Sequence, residues 1–557
     1  MTVRTREEKV AQDVKDLHGL GYAQELLRTM GGFSNFAISF SIISILTGAV
    51  ILYDYGLAWA GKAAVSLGWP LVTAFVLLIG ASMAELASAY PTAGGLYYWA
   101  SKMKSKNWGW WTAWFNLLGQ FAIVAGIDYA AAGFINATIV DKIAGGTFNT
   151  WQLLAPDASG VAPMNGLLNG QLVTMGILLV VQLAMNIAGI SLVALLNQVS
   201  VWWHIAIVAI VAVGVMVFGK PDTSGLGLFD IHPLDTAGSW SNDFGNIHLL
   251  YGPAIGYPLV LAFLFSLLQA NWTYTGYDAS AHVAEETIGA RVSSAWGVFL
   301  SVAVSAVAGY VFLMALTLHT PDMSKLFPAQ LNDATTYSQY YFGGGVAVIS
   351  ILVYNLGDFL GNFISAGIAI AMAFCGLASV AAAGRMLFAF SRDDGLPASG
   401  WLKKVSHRYR TPANSLTAIC LVAWLFTVAA FIVGGGTAIV IVTAISTIFL
   451  YAAYGIVIYL GATTSEWLNH RVWSLGRWSK PVAWISVFWV IVLMILFSFP
   501  TSGNISWPFM VGAVVLLLVY YFAYARKRFK GPRTQGAEAD LSSIEKEFQQ
   551  AAVELAG

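Results

Sequence analysis

The run Asn271-Trp272-Thr273-Tyr274-Thr275-Gly276-Tyr277-Asp278 places an amide, several hydroxyls, a glycine and a carboxylate together inside an otherwise apolar stretch. An ionisable group is costly to hold in such a stretch and as a rule faces a cavity or a partner. Asp278 is therefore read as a functional carboxylate, suited to gating, proton sensing or pairing with a cationic solute. A second apolar run, near the start of the chain, is interrupted by Ser39, Ser41, Ser44, Thr47 and Gly48. If both interruptions unwind helix, each exposes main-chain dipoles. Free N–H groups at a half-helix amino terminus attract a carboxylate, and free carbonyls at the opposing half-helix end accept from an ammonium group. A small zwitterionic or cationic amine suits such a site. The plainer alternative for the first run is packing, because Ser, Thr and Gly are common where membrane helices touch.

Other ionisable residues allow more than one reading. His204, in Val201-Trp202-Trp203-His204, is mid-run and titrates near neutral pH, so it serves either as a proton relay or as a satisfied packing histidine. Gln120 either reaches a central cavity or bridges helices. Glu85 and Asp128 either pair with neighbours or reach the interface, and Glu285 and Glu286 are expected at the interface beside Arg291. The segment Gly56-Leu57-Ala58-Trp59-Ala60-Gly61-Lys62-Ala63 has the spacing of a phosphate-binding loop but ends in Ala63, where a Ser or Thr is needed, and it lacks a strand–helix context. There is no HExxH motif, and Cys375 and Cys420 lie in apolar runs without metal or disulfide spacing. No metal, no cofactor and no enzymatic nucleophile–base set is expected.

These residues must be carried by membrane-spanning helices. Of 557 residues, 58% are hydrophobic and 10% charged, against about 25% charged in a soluble domain. Mean hydropathy is +0.69. The apolar residues come in long runs, which in lipid are expected to be helices because the backbone must satisfy itself. Twelve spans are predicted, near Phe33–Tyr53, Trp69–Ala89, Trp111–Val140, Leu172–Ala188, Leu192–Phe218, Pro258–Val283, Ser294–Leu318, Phe359–Phe390, Ser415–Val433, Ala438–Gly461, Val482–Phe499 and Pro508–Ala525. Gly345–Leu356 is too short to span and is expected as a helical loop over the outer face. The two interrupted runs are then spans one and six, equivalent first elements of two five-helix repeats. Interruptions at corresponding positions of two halves point to a transporter site.

With the amino terminus inside, the inner segments hold most of the Lys and Arg, at 4–28, 102–106, 291, 385–410, 471–480 and 526–546. The outer segments keep only Lys62, Lys142, Lys220 and Lys325. The expected organisation is a cytoplasmic segment 1–32 without a cleavable signal, a transport core 33–461, two further helices within 462–525 and a polar, weakly helical cytoplasmic tail 526–557. Net charge is +0, which offers nothing to nucleic acid.

Gly21-Tyr22-Ala23-Gln24-Glu25-Leu26 with Phe33-Ser34-Asn35-Phe36-Ala37 resembles the amino acid/choline transporter branch of the amino acid–polyamine–organocation superfamily. So do Glu85 through Trp99, Trp272 to Glu286, and Gly384-Arg385 through Pro397. The resemblance implies an all-α integral membrane protein with a five-plus-five inverted repeat of the leucine-transporter type, helices 1 and 6 unwound, and two extra carboxy-terminal helices. It implies alternating access and secondary active uptake at the plasma membrane, with a proton as the expected coupling ion and sodium as the rival. The unwound parts that hold substrate in the family would fall on Ser44, Ile45, Thr47 and Gly48, and on Trp272, Thr273, Tyr274, Thr275 and Gly276. The family's acidic position on the sixth helix falls on Asp278. Asn186-Ile187-Ala188-Gly189-Ile190 is followed by Ser191 where some relatives carry a lysine, which argues against a lysine-based proton switch here. An amine such as 4-aminobutyrate is the expected type of substrate.

Overall fold

The computed structural model describes residues 5–144, 148, 152–153, 168–220, 227–231, 259–320, 346–434, 438–498 and 506–554. Among these, eleven helices are long and apolar enough to cross a bilayer: Gly32–Ile51, Ala64–Ala89, Lys106–Ile143, Gly170–Ala188, Ile190–Phe218, Ala290–Leu318, Asp358–Arg392, Ala413–Ile432, Ala438–Thr463, Gly476–Ser498 and Trp507–Arg528. The shorter apolar helix Leu259–Thr273 occupies the place of the sixth span. Counting it, the twelve expected spans stand in the expected order. Of the residues used to set span ends and charge bias, Arg4, Pro258, Lys325, Gly345 and Phe499 lie outside the described residues. Val346–Leu356 is helical, and Asn355 bonds Lys220 N (2.8 Å) and the His319 carbonyl (3.0 Å). That places it where spans five and seven end.

Spans one, three and ten form the interior. The most apolar windows of these helices are 94%, 78% and 83% buried, against 33% for span five and 22% for span twelve. The outer spans instead expose Ile177, Val180, Trp202, Val213, Leu516 and Val519, as expected where lipid is the solvent. Span eight, Asp358–Arg392, has 35 residues. At 1.5 Å per residue it is about 50 Å long, well beyond a hydrocarbon core of about 30 Å. Its excess length carries Arg385 and Arg392 to one end of the bundle.

Both terminal segments meet at that end. The helix Arg6–Gly19 is started by a Thr5–Glu8 capping box. The chain after it bonds the carboxy-terminal segment: Ala23 N donates to Gln535 Oε1 at 2.7 Å, Gln24 N to Glu545 Oε1 at 2.8 Å, and His18 lies 2.7 Å from Glu545. The tail is a formed helix, Glu538–Glu554. These segments meet at one face of the bundle, the tail end. Having both termini at one end agrees with an even number of spans.

Candidate functional site

Span one breaks at a single residue. Helix Gly32–Ile43 stops, Ser44 takes φ 29° and ψ 88°, and helix resumes at Ile45–Ile51. Positive φ is sterically unfavourable for a residue with a Cβ and persists only where the surroundings hold it. Here they do. Ser44 Oγ lies 2.6 Å from Thr47 Oγ1 and 2.8 Å from His204 Nε2. His204 Nδ1 donates to the Ser200 carbonyl at 2.7 Å. The break diverts Thr47 N onto the Ser44 carbonyl, which also receives the ordinary helical bond from Gly48 N. Among the described residues, the amides of Ile45 and Leu46 have no backbone partner. The Ile42 carbonyl, relieved of its helical partner, accepts from Cys375 Sγ at 3.2 Å.

Span six is interrupted over a longer stretch. Leu268–Thr273 ends, Tyr274 to Asp278 are non-helical with Gly276 at φ 83°, and a single turn follows at Ala279–His282. Main-chain groups released here are taken up by neighbouring spans. Tyr451 Oη donates to the Asn271 carbonyl at 3.2 Å, Gly276 N donates to Tyr454 Oη at 3.2 Å, and Ser39 Oγ donates to the Tyr277 carbonyl at 2.8 Å.

The two breaks face each other at backbone distance. A Cβ on Gly48 would lie 2.6 Å from Thr273 Cα, and one on Gly276 would lie 2.2 Å from Ile42 Cγ2. Only glycine permits this approach. The remaining expected residues line the same region and are all buried. Trp272 Nε1 donates to Ser446 Oγ at 2.9 Å, Thr273 Oγ1 to the Gln269 carbonyl at 2.7 Å, and Thr275 Oγ1 to the Trp272 carbonyl at 2.6 Å. Tyr274 turns away from span one, with Oη 2.7 Å from Thr73 Oγ1 and its ring against Trp69.

Asp278 does face inward. Its carboxylate accepts from Asn116 Nδ2 at 3.0 Å, Tyr454 Oη at 2.8 Å and, at 3.5 Å, Gln120 Nε2, and it lies 3.1 Å from His282 Nε2. Gln120 thus bridges spans three and six. Glu85 accepts from Arg471 and Ser479, and Asp128 from Gln182.

Below the breaks, the tail end is closed. Glu285 and Glu286 are not interfacial residues beside Arg291, as their sequence neighbourhood suggests, but are wholly buried. Arg385 grips Glu286 with two bonds (2.9 and 3.2 Å) and Arg392 grips Glu285 with two (2.9 and 3.1 Å). Such two-pronged pairs satisfy both charges where water cannot. Arg291 bonds the Ser88 and His470 carbonyls instead. The main chain at Met30 pairs with Thr287 as an isolated bridge, and Gln24 Nε2 donates to the Glu285 carbonyl at 2.8 Å. The amino-terminal segment therefore stitches span one to the segment after span six.

A family model described as amino acid permease matches residues 30–520. The chain belongs to the amino acid permease family. The permease is 32% identical to the amino-acid permease BAT1 of Arabidopsis thaliana, over 93% of this chain and 95% of that one. It is 27% identical to the GABA-specific permease of Saccharomyces cerevisiae, over 96% and 88%, and 25% identical to a putative polyamine transporter of Candida albicans, over 96% and 92%. It is thus a multi-pass membrane protein of amino acid or amine transport, in the superfamily its motifs resemble, and not an enzyme.

Tyr451, Tyr454, Asn116 and His282 were not singled out from sequence. The two tyrosines sit in the strongly apolar Ala438–Thr463, where a tyrosine reads as part of the run. The one available signal was their i, i+3 spacing, which puts both on one face of the permease's tenth span.

Proposed function

We propose that the permease is a secondary active importer of amino acids or related amines such as 4-aminobutyrate, driven by protons and working by alternating access. The observation that carries this reading is the juxtaposition of two broken helices in the buried interior, at backbone distance. In it, Ser44, Ile45, Thr47 and Gly48 of span one and Trp272 to Gly276 of span six form the substrate site. The unpartnered Ile45 and Leu46 amides would receive a carboxylate, and the main-chain carbonyls around Asn271 and Tyr274 would receive an ammonium as the tyrosines of span ten give way. With these residues buried and the tail end closed, the geometry suits an occluded stage of the cycle. Asp278, Gln120 and His204 are gating or coupling residues; His204 touches the span-one break through Ser44.

The reading includes the five-plus-five inverted repeat as the core within 33–461, with spans eleven and twelve appended, both termini cytoplasmic and the plasma membrane as location. The excess of Lys and Arg at the tail end supports that orientation. The relatives named for 4-aminobutyrate and polyamines support an amine-bearing substrate.

The test is uptake of a panel of labelled amino acids and amines by the purified permease in proteoliposomes. Accumulation above the external level that collapses with a protonophore and survives sodium removal is expected. Accumulation that requires sodium would replace the proton with sodium, and equilibration without accumulation would make the protein a channel or receptor rather than a pump.

A further inference from the structure

His282 is fully buried and has an acceptor at each ring nitrogen. Nδ1 lies 3.1 Å from the Ala93 carbonyl oxygen and Nε2 lies 3.1 Å from Asp278 Oδ2. A neutral imidazole offers one N–H and one lone pair, so a neutral ring would aim a lone pair at one of two oxygens in a site closed to water. The carboxylate side is equally constrained. Asp278 accepts from Asn116, Gln120 and Tyr454, and the Tyr454 oxygen is already receiving Gly276 N–H, which leaves its own proton to point at Asp278. Each of these three partners donates to the carboxylate. The arrangement is satisfied by an imidazolium facing a carboxylate.

We propose that the Asp278–His282 pair is the proton-binding site of the permease, and that losing this proton loosens the tail end. The proposal rests on the proton-coupled reading given above. Among the described residues, His204 is the other buried histidine near the breaks, and its ring does not face two obligate acceptors. Its Nδ1 faces a carbonyl, but its Nε2 faces the Ser44 hydroxyl, which can donate as well as accept.

The link to opening is structural. Ala93 is held twice by the segment after the span-six break: its carbonyl by His282, and its N–H by Glu285 Oε1 at 3.0 Å. Gly95, at φ 46°, lets this turn pass so close that a Cβ there would sit 3.1 Å from the His282 ring. Removing the proton breaks either the bond to Ala93 or the bond to Asp278. It also leaves the buried pair with an uncompensated negative charge, which favours admission of water. Of the other ionisable groups nearby among the described residues, Tyr277 has a buried hydroxyl without a partner and the rest are committed. Glu285 and Glu286 of the same segment are held by Arg392 and Arg385 of span eight. Arg291 at the start of span seven is turned to carbonyls, and Tyr454 comes from span ten. Span one contributes the uncharged Asn35 and Ser39, bonded at Ser280, and span three the uncharged Asn116 and Gln120.

The experiment is lumenal pH, read with a trapped dye, in proteoliposomes of wild type, His282→Gln and His282→Lys, alongside exchange of labelled for unlabelled substrate at equal concentrations. Wild type should acidify the lumen as substrate enters. Both variants should lose at least nine-tenths of that acidification and most of the pH dependence of uptake, while exchange persists. A variant with wild-type coupled acidification would overturn the proposal and leave proton coupling standing. A wild type that transports without moving protons would overturn both. Because either variant could fail to fold, solid-state NMR of the wild-type permease labelled with 15N-histidine supplies a second reading. One imidazole should carry protons on both ring nitrogens under conditions where water-exposed rings are neutral, and the absence of such a signal would also overturn the proposal.

Discussion

Replacing Gly276 with alanine is the smallest change that challenges the contact between the two breaks. Gly276 has φ 83°, a region that costs a residue with a Cβ about 1–2 kcal/mol. The new methyl would sit 2.2 Å from Ile42 Cγ2, where carbon atoms prefer about 3.5–4.0 Å. Relieving that overlap in a packed interior costs about 1–3 kcal/mol more. The sum, about 2–5 kcal/mol, lowers the weight of the closed arrangement by a factor of roughly 30 or more at the low end. In detergent, Gly276→Ala should unfold at a clearly lower temperature and lose uptake in vesicles. Ile42→Ala removes the atom being struck but opens a cavity, at about 2–5 kcal/mol by itself. The double variant should therefore be less destabilised than the two singles added together, by the overlap of about 1–3 kcal/mol, while the backbone cost remains. Simple additivity, or a Gly276→Ala protein with wild-type stability and uptake, would refute the contact between spans one and six at this point.

The Asp278→Asn variant keeps the shape of the carboxylate but not its charge, so membrane expression should be retained while initial uptake falls at least tenfold; wild-type uptake would refute a functional role. Removing one charge from the buried Arg385–Glu286 pair, as in Glu286→Gln, should cost about 3–5 kcal/mol of stability, with part regained in Glu286→Gln/Arg385→Met, measured by thermal unfolding. Burial pushes the Glu25 carboxyl up, and Arg392 and Gln535 restore only part of the ordinary value. A raised carboxyl weakens the fold when ionised and does so less as pH falls through the raised value toward the ordinary one. Glu25→Gln should therefore be more stable than wild type above that window and converge with it below, as checked by melting temperature against pH.

The spans and the two interruptions were legible because they rest on local signals, namely long apolar runs and polar residues that violate them. That Asp278 is a buried carboxylate with partners inside the bundle was legible for the same reason. The length of each break was not. Ser39, Ser41, Ser44, Thr47 and Gly48 suggest a broad unwinding of span one, yet the helix yields only at Ser44, because Ser39 and Ser41 are used to bond the Tyr277 carbonyl and Ser200. Glu285 and Glu286 look interfacial when judged by Arg291 a few residues away. Their partners, Arg385 and Arg392, are about a hundred residues distant and arrive only because span eight overshoots the bilayer. His282 passes as an ordinary residue at a span end until the Ala93 carbonyl, supplied by the turn after span two, is seen on its far nitrogen. Pairings of this kind depend on which helices become neighbours, and no local pattern encodes that.

A structure of the permease with a transported amine bound is the most direct measurement. The solute should lie between Ser44–Gly48 and Trp272–Gly276, with its carboxylate on the Ile45 and Leu46 amides and its ammonium toward the main-chain carbonyls of the span-six break. A solute bound elsewhere in the bundle, with both breaks unchanged and unoccupied, would contradict it.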